Sequence, residues 1–309
     1  GSGFAGFNPF GPLVSAVASA PNSDGGNDLY VAGNIASYGG VPVNGIARWD
    51  GTSWGPLGEG LSSFYGTGSN PVSSIIACAD GKLVVVGSFL RAGGLPAPGL
   101  AVWDGSAWSV PVTFASGNVN AVACLPDNSL IIGGSFTSVN GEPIVRVARI
   151  HGGIVTPVSG EQIGNVTSLA VTFNGTVFAT SVTPSGTQVV QYADGSWAQI
   201  GAVASTASSN PGAPKVLALA DNSIALFGTF TAIDGVPMSH LARYNGASWE
   251  PLGPPESPYA AAQLPDGRIA TARNQLGVTT PSQTMPLLGV VPQLTNGTAY
   301  AVEYFEGDL

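Results

Sequence analysis

Residues 46–54 read Ile-Ala-Arg-Trp-Asp-Gly-Thr-Ser-Trp, a β-hairpin in miniature. An apolar strand runs into Asp50-Gly51, a strong turn signal, and Trp54 opens the return strand opposite Trp49 as an aromatic cross-strand pair. The same offset recurs at Trp103/Trp108, Ile150/Val155, Tyr192/Trp197 and Tyr244/Trp249. A fixed offset repeated in this way is an internal repeat, and it restricts the chain to folds built from copies of one small unit.

Each unit expands to four predicted strands. In the first they fall at 13–18, 28–35, 45–49 and 53–57; in the second at 72–78, 82–89, 100–103 and 107–112. The third has 119–125, 130–136, 145–150 and 154–158, and the fourth, the most degraded copy, 166–172, 177–182, 188–192 and 196–200. The fifth has 216–220, 224–230, 240–244 and 248–252. A sixth opens at 259–264 and 268–272, with 285–291 and 299–305 as candidates for its outer half. Units of roughly 43 to 54 residues have the length of a four-stranded propeller blade. With 44 Gly and 24 Pro, no window sustains a helical period.

The expected fold is therefore all-β: one six-bladed β-propeller, four antiparallel strands per blade. The blades are placed at 11–58, 71–112, 118–159, 165–201, 215–253 and 258–309 within a single domain, 1–309. Closure is expected from 299–305 as the last outer strand, with 4–10 covering the seam. A parallel β-helix is the structural alternative, but its coils are shorter and lack paired Asp-Gly hairpins.

Charge narrows the partners. Nine Lys plus Arg against eighteen Asp plus Glu give a net charge of -9, which excludes nucleic acid and anionic membrane, since both need clustered cations. Asp24, Asp50, Asp80, Asp104, Asp127, Asp194, Asp221 and Asp266 fall at predicted turns, where the side chain caps its own backbone. No apolar run approaches the roughly 18 residues needed to cross a bilayer, so a soluble chain without membrane insertion is expected. The start at Gly1-Ser2-Gly3 reads as a processed form, a tagged protein or an excised fragment. Cys78 and Cys124 sit at similar places in two units; buried free thiols are favoured over a disulfide.

Three further repeat positions carry structural expectations. Gly33, Gly87, Gly134 and Gly228 end the second strands, where a missing side chain is expected to let adjacent blades approach. Phe89, Phe136 and Phe230, just beyond three of these glycines, are expected in the core. Arg48, Arg149 and Arg243 share one position and are expected to pack their aliphatic stems on a neighbouring strand.

Gly-x-Phe, a Gly-rich loop, Ile-Ala-Arg-Trp-Asp-Gly-x-Ser-Trp and Pro-Leu-Gly together resemble the kelch-related propeller repeats of secreted and surface proteins. These include extracellular domains of fungal cell-polarity markers, large bacterial secreted proteins and phage tail-fibre or virion proteins. The resemblance covers about residues 13–270. It implies a propeller at an extracellular, cell-surface or virion location, and no shared catalytic set.

The search for chemistry is mostly negative. His151 and His240 lack neighbouring ligands at metal spacing, and no nucleophile elbow, phosphate loop or dinucleotide fingerprint is present. Asn70, Asn118 and Asn165 precede the first strands of units two, three and four, so calcium at the channel mouth is weighed against strand-start capping, which is favoured. Sequons at Asn165, Asn174 and Asn296 are no more than this composition yields by chance. Long, varied loops join strands two to three and one blade to the next, on the face opposite the Asp-Gly turns. From these come the binding candidates Tyr38, Phe64, Tyr65 and Arg91, three aromatics and a guanidinium suited to a sugar or a protein hot spot.

The expected function is a non-catalytic binding or assembly module for a protein or glycan ligand, with no catalytic residues and no cofactor. The alternative is a calcium-dependent hydrolase or lyase at the channel mouth.

Overall fold

The computed structural model describes residues 3–7, 12–22, 25–62, 72–114, 116–158, 163–205, 213–252, 257–264, 267–272, 276–280 and 283–286. They fall into two compact units, one ending at 157 and the other beginning at 158. Among the described residues there is no helix long and apolar enough to cross a membrane.

The first unit holds three four-stranded antiparallel sheets, each a meander in chain order. Blade one is Leu13–Pro21, Asn27–Asn34, Ile46–Trp49 and Trp54–Pro56; blade two is Val72–Ala77, Leu83–Gly87, Leu100–Trp103 and Trp108–Ser109. Blade three is Val119–Cys124, Leu130–Gly134, Val147–His151 and Ile154–Pro157. The second unit repeats the plan. Blade four is Asn165–Val171, Val177–Thr183, Gly186–Ala193 and Ser196–Ala204, and blade five is Lys215–Ala218, Ile224–Phe227, Leu241–Tyr244 and Trp249–Pro251. Blade six is Ala260–Gln263, Ile269–Ala272, Leu276–Thr280 and Gln283–Pro286.

Blade six departs from the expectation. Its outer strands are 276–280 and 283–286, where 285–291 and 299–305 were expected; 299–305 lies outside the described residues. The position of the repeated pair is taken by Thr279 and Thr284, and the sequence between them carries none of the Asp-Gly, Asn-Gly or His-Gly signals of the other five hairpins.

The repeated hairpins pair in the expected register: Trp49 with Trp54, Trp103 with Trp108, Ile150 with Val155, Tyr192 with Trp197 and Tyr244 with Trp249. The four aromatic pairs have centroids 5.2–5.6 Å apart. In the turns, Asp50 Oδ1 accepts from the amides of Thr52 and Ser53 at 2.8 Å, and Asp104 does the same for Ser106 and Ala107. Between blades, the outer tryptophan reaches back: Trp108 Nε1 donates to the Leu57 carbonyl at 2.8 Å and Trp249 Nε1 to that of Ile200 at 2.7 Å. Phe89, Phe136 and Phe230 are fully buried, as expected.

The second-strand glycines are explained differently from the expectation. A Cβ on Gly33 would lie 2.1 Å from the Leu13 carbonyl oxygen, and one on Gly134 2.0 Å from that of Asn118. The close neighbour is the first strand of the same blade, not the adjacent blade. Bulges at Val14/Ala16 and Val119/Ala121 push that strand onto the glycine.

The arginines are also corrected. Arg48 pairs with buried Asp28, Arg149 with Asp127, and Arg243 with Asp221, each within its own blade. Arg149 Nε and Arg243 Nε each donate to a serine hydroxyl, Ser129 and Ser223, at 2.9 Å. The guanidinium, rather than the stem, is what the position uses.

Cys78 and Cys124 form a disulfide, with Cα atoms 5.7 Å apart. The preference for free thiols is overturned because the two first strands end at one height. The turns beyond them are joined as well: the Asp80 amide donates to Asn128 Oδ1 at 3.2 Å. That level brings the Cα atoms into bonding range.

Candidate functional site

The long loops build a second tier of sheet. In blade two, Arg91–Ala92 and Leu95–Pro96 form a small hairpin, and Leu61–Ser62, arriving from blade one, adds to it. Ser37–Tyr38 and Val41–Pro42 do the same in blade one with Phe4–Ala5, and Ala232–Ile233 and Val236–Pro237 in blade five with the end of Ser196–Ala204. The two kinds of loop therefore share a face within each unit, as expected.

Register separates two of the predicted binding residues. Tyr38 pairs with Phe4 and corresponds to Ala92, which pairs with Leu61 and is fully buried; Arg91 corresponds to Ser37 and is exposed. Adjacent positions on a strand point to opposite sides. Tyr38 accordingly packs on Phe4 and Trp54, centroids 5.1 and 6.1 Å away, while Arg91 donates to its own hairpin at the Gly94 carbonyl, 2.6 Å. Phe64, Tyr65 and Asn70 lie outside the described residues. Asn118 and Asn165 belong to different units and are exposed. Asn118 holds the start of its strand through its backbone, which exchanges bonds with Ser135. Among the described residues no group of three His, Cys, Asp or Glu is arranged to hold a metal.

A groove of about 210 Å³ lies on the opposite, turn-bearing face of the first unit, between blades two and three. Val84, Val102, Leu130, Ile150 and Pro111 line it, with Asp80, Lys82 and Asn128. It exists because the repeat lapses twice. Val102 stands where blades one, three and five place an arginine, and Ile150/Val155 replace the aromatic pair. The Trp108 indole reaches Leu57, three residues beyond Trp54; an indole at 155 would reach Pro111, three beyond Trp108. The lapse at Ile150/Val155 was visible in the sequence, but which space it empties was not.

A second departure lies at the loop end of blade five. Lys215 pairs with Phe227, which pairs with Leu241, so the three side chains share one face of the sheet. The corresponding residues elsewhere are Ala16, Ser74, Ala121, Ser168 and Ala260, all small. Desolvation alone lowers the Lys215 amine to about 8. Next to Leu241, His240 adopts a left-handed backbone, φ 69°, where blades one and two carry Gly45 and Gly99 and blade three carries Arg146, φ 66°. Its carbonyl accepts from Gly228 N at 3.0 Å, as those of Gly45 and Gly99 accept from Gly33 and Gly87. Side chains in this conformation carry some backbone strain, at His240 as at Arg146. Neither Lys215 nor His240 belongs to a recognisable motif, so only comparison of blades picks them out.

No curated protein matches the chain. Among solved structures, virginiamycin B lyase from Staphylococcus aureus is similar at 12% identity and TM-score 0.50, covering 72% of this chain and 71% of that one. A gluconolactonase from Xanthomonas campestris is similar at 12% identity and TM-score 0.50, covering 94% and 91%. Likeness at this level concerns the fold. It nonetheless overturns the expectation that the chain is not an enzyme, which rested on missing motifs, because this scaffold carries lyase and lactonase chemistry in other proteins. Residues 59–257 match the family described as the Rax2 C-terminal beta propeller domain. That match spans more than half of the sequence, and the chain belongs to this β-propeller family.

Proposed function

We propose that the protein is an extracellular recognition module that engages a protein partner through the groove between blades two and three. The carrying observation is that the groove opens where the repeat gives up its tryptophan pair and its arginine together. Aliphatic walls with a few polar groups suit an apolar side chain of a partner better than a sugar ring, which needs an exposed aromatic platform. The Cys78–Cys124 disulfide fits an oxidising location.

Val155→Trp rebuilds the aromatic position of the other blades, with the Pro111 carbonyl as acceptor, and fills the groove while keeping the fold. Photo-crosslinking from the domain displayed on cells should capture a partner that Val155→Trp loses and Arg91→Ala keeps. Capture lost with Arg91→Ala and kept with Val155→Trp would move the surface to the loop face.

A second reading, a hydrolase or lyase at the loop end of blade five, is supported by the Lys215–Phe227–Leu241 row and strained His240. Esters and lactones, with and without calcium, are the substrates to try. Turnover abolished by Lys215→Met supports it, and turnover that survives the substitution sinks it.

A further inference from the structure

We propose that Asn174 is an N-glycosylation site and that the exposed ring of Phe173 is the platform for its first sugar. This rests on the extracellular reading above. The hairpins joining first to second strands have one design, in which Cys78, Leu125, Thr172 and Leu219 each accept at the carbonyl from the residue three on. By that register Asp80, Asp127, Asn174 and Asp221 are equivalent, as are Ala79, Pro126, Phe173 and Ala220.

Blade four departs from the pattern in three linked ways. The acid becomes Asn174, opening the sequon Asn174-Gly175-Thr176. The arginine that pairs with Asp127 or Asp221 in blades three and five is replaced by Gln191, which pairs with Phe178 in the ladder. The small residue or proline becomes Phe173, 87% exposed and with no ring contact among the described residues.

Geometry sorts the described sequons. Asn174 is exposed at the turn, and its Oδ1 accepts from the Thr176 amide at 3.1 Å and the Thr172 hydroxyl at 2.7 Å. The carboxamide is thus held by its oxygen, in an Asx-turn spanning the sequon, and its Nδ2 makes no hydrogen bond within the described residues. The turn is anchored from behind, where the Asn174 amide donates to Asn222 Oδ1 at 2.8 Å. At Asn165, by contrast, the sequon runs inside a paired strand: Val166 is fully buried and the Thr167 hydroxyl meets that of Thr180 at 2.9 Å. Asparagine caps the turn as aspartate does elsewhere, so the change costs the fold little and supplies an acceptor nitrogen.

The transfer balances with a polyisoprenyl-pyrophosphate-linked oligosaccharide as donor. The sugar C1–O bond and one Nδ2–H bond break, the Nδ2–C1 bond forms, and the proton leaves with the pyrophosphate. The C–H face of the first pyranose would then cover part of the Phe173 ring that water now covers.

The chain should be secreted from eukaryotic cells behind a supplied secretion signal, so that its native location does not enter the result, and mapped by glycopeptide mass spectrometry with peptide-N-glycosidase digestion. A glycan on Asn174, none on Asn165, and loss of the Asn174 glycan in Asn174→Asp, which melts with the deglycosylated wild type, are expected. Removing the glycan should lower the melting temperature of the wild type and leave Phe173→Ala unchanged. Secreted, folded protein with Asn174 bare, or with the glycan on Asn165 instead, overturns the site; an equal loss in both proteins overturns the platform. Neither outcome bears on the groove, so failure here is separable from failure of the recognition reading.

Discussion

Trp108 donates its indole proton to the carbonyl of Leu57, 51 residues earlier, and both residues are buried. The bond fastens the outer strand of blade two to the end of blade one, in a place water does not reach. Trp108→Phe keeps most of the packing and leaves the carbonyl without its donor, which costs about 1–3 kcal/mol. Denaturant melts should show that loss, and a smaller one for Trp54→Phe, whose indole has no such acceptor among the described residues. Equal losses would mean that the aromatic packing alone matters.

The disulfide predicts a redox-dependent stability. Cys78 and Cys124 close a loop of 46 residues, for which chain entropy alone gives about 4 kcal/mol. Reductant should lower the melting temperature of the wild type to that of Cys78→Ala/Cys124→Ala and leave the double variant unchanged. Insensitivity of the wild type to reductant under unfolding conditions would show that the bridge does not form.

The Asp–Arg pairs predict a modest acid dependence. Hydrogen bonds from Ser129, helped by Arg149, hold the Asp127 carboxyl at about 2, below its ordinary value. A depressed folded value means stability that is present above the unfolded pKa of 3.8 and disappears as pH falls through about 2. Both side chains are well exposed, so solvent screening limits the pair to a fraction of a kcal/mol. The gap in melting temperature between the wild type and Asp127→Asn should be visible at pH 5 and close by pH 2. A gap that widened with acid would reverse the assignment.

The fold was legible because the hairpin offset is a local signal: each Asp-Gly turn and the pair flanking it lie within one short stretch. Blade six was illegible past 272 because Thr279 and Thr284, which hold the place of the pair, have neither device. The sites were harder for a different reason. Tyr38 and Arg91 look alike as loop residues, and only the register with Phe4 and Ser62 shows one turned inward and the other outward. The disulfide and the groove depend on the height at which neighbouring blades meet, a distance no single unit encodes. Lys215 stands out only against the five small residues that strand pairing aligns with it.

That lysine gives the sharpest energetic test. Its amine falls from 10.5 to about 8 because packing strips its water, and no carboxylate offsets the loss among the described residues. A lysine whose pKa is depressed in the folded state costs stability at every pH below about 8, and the cost fades as pH rises towards 10.5, where both states are neutral. A tenfold change in a protonation equilibrium is worth about 1.4 kcal/mol; allowing for the partial exposure of Lys215, the cost at pH 7 is about 1–3 kcal/mol. Lys215→Met keeps the stem and removes the charge, so at pH 7 it should be more stable than the wild type by that amount. The gain should shrink to near zero by pH 10.5, read as the difference between urea midpoints. A variant less stable than the wild type at pH 7 would mean that the amine is already satisfied, and the row with Phe227 and Leu241 would lose its support as a candidate site.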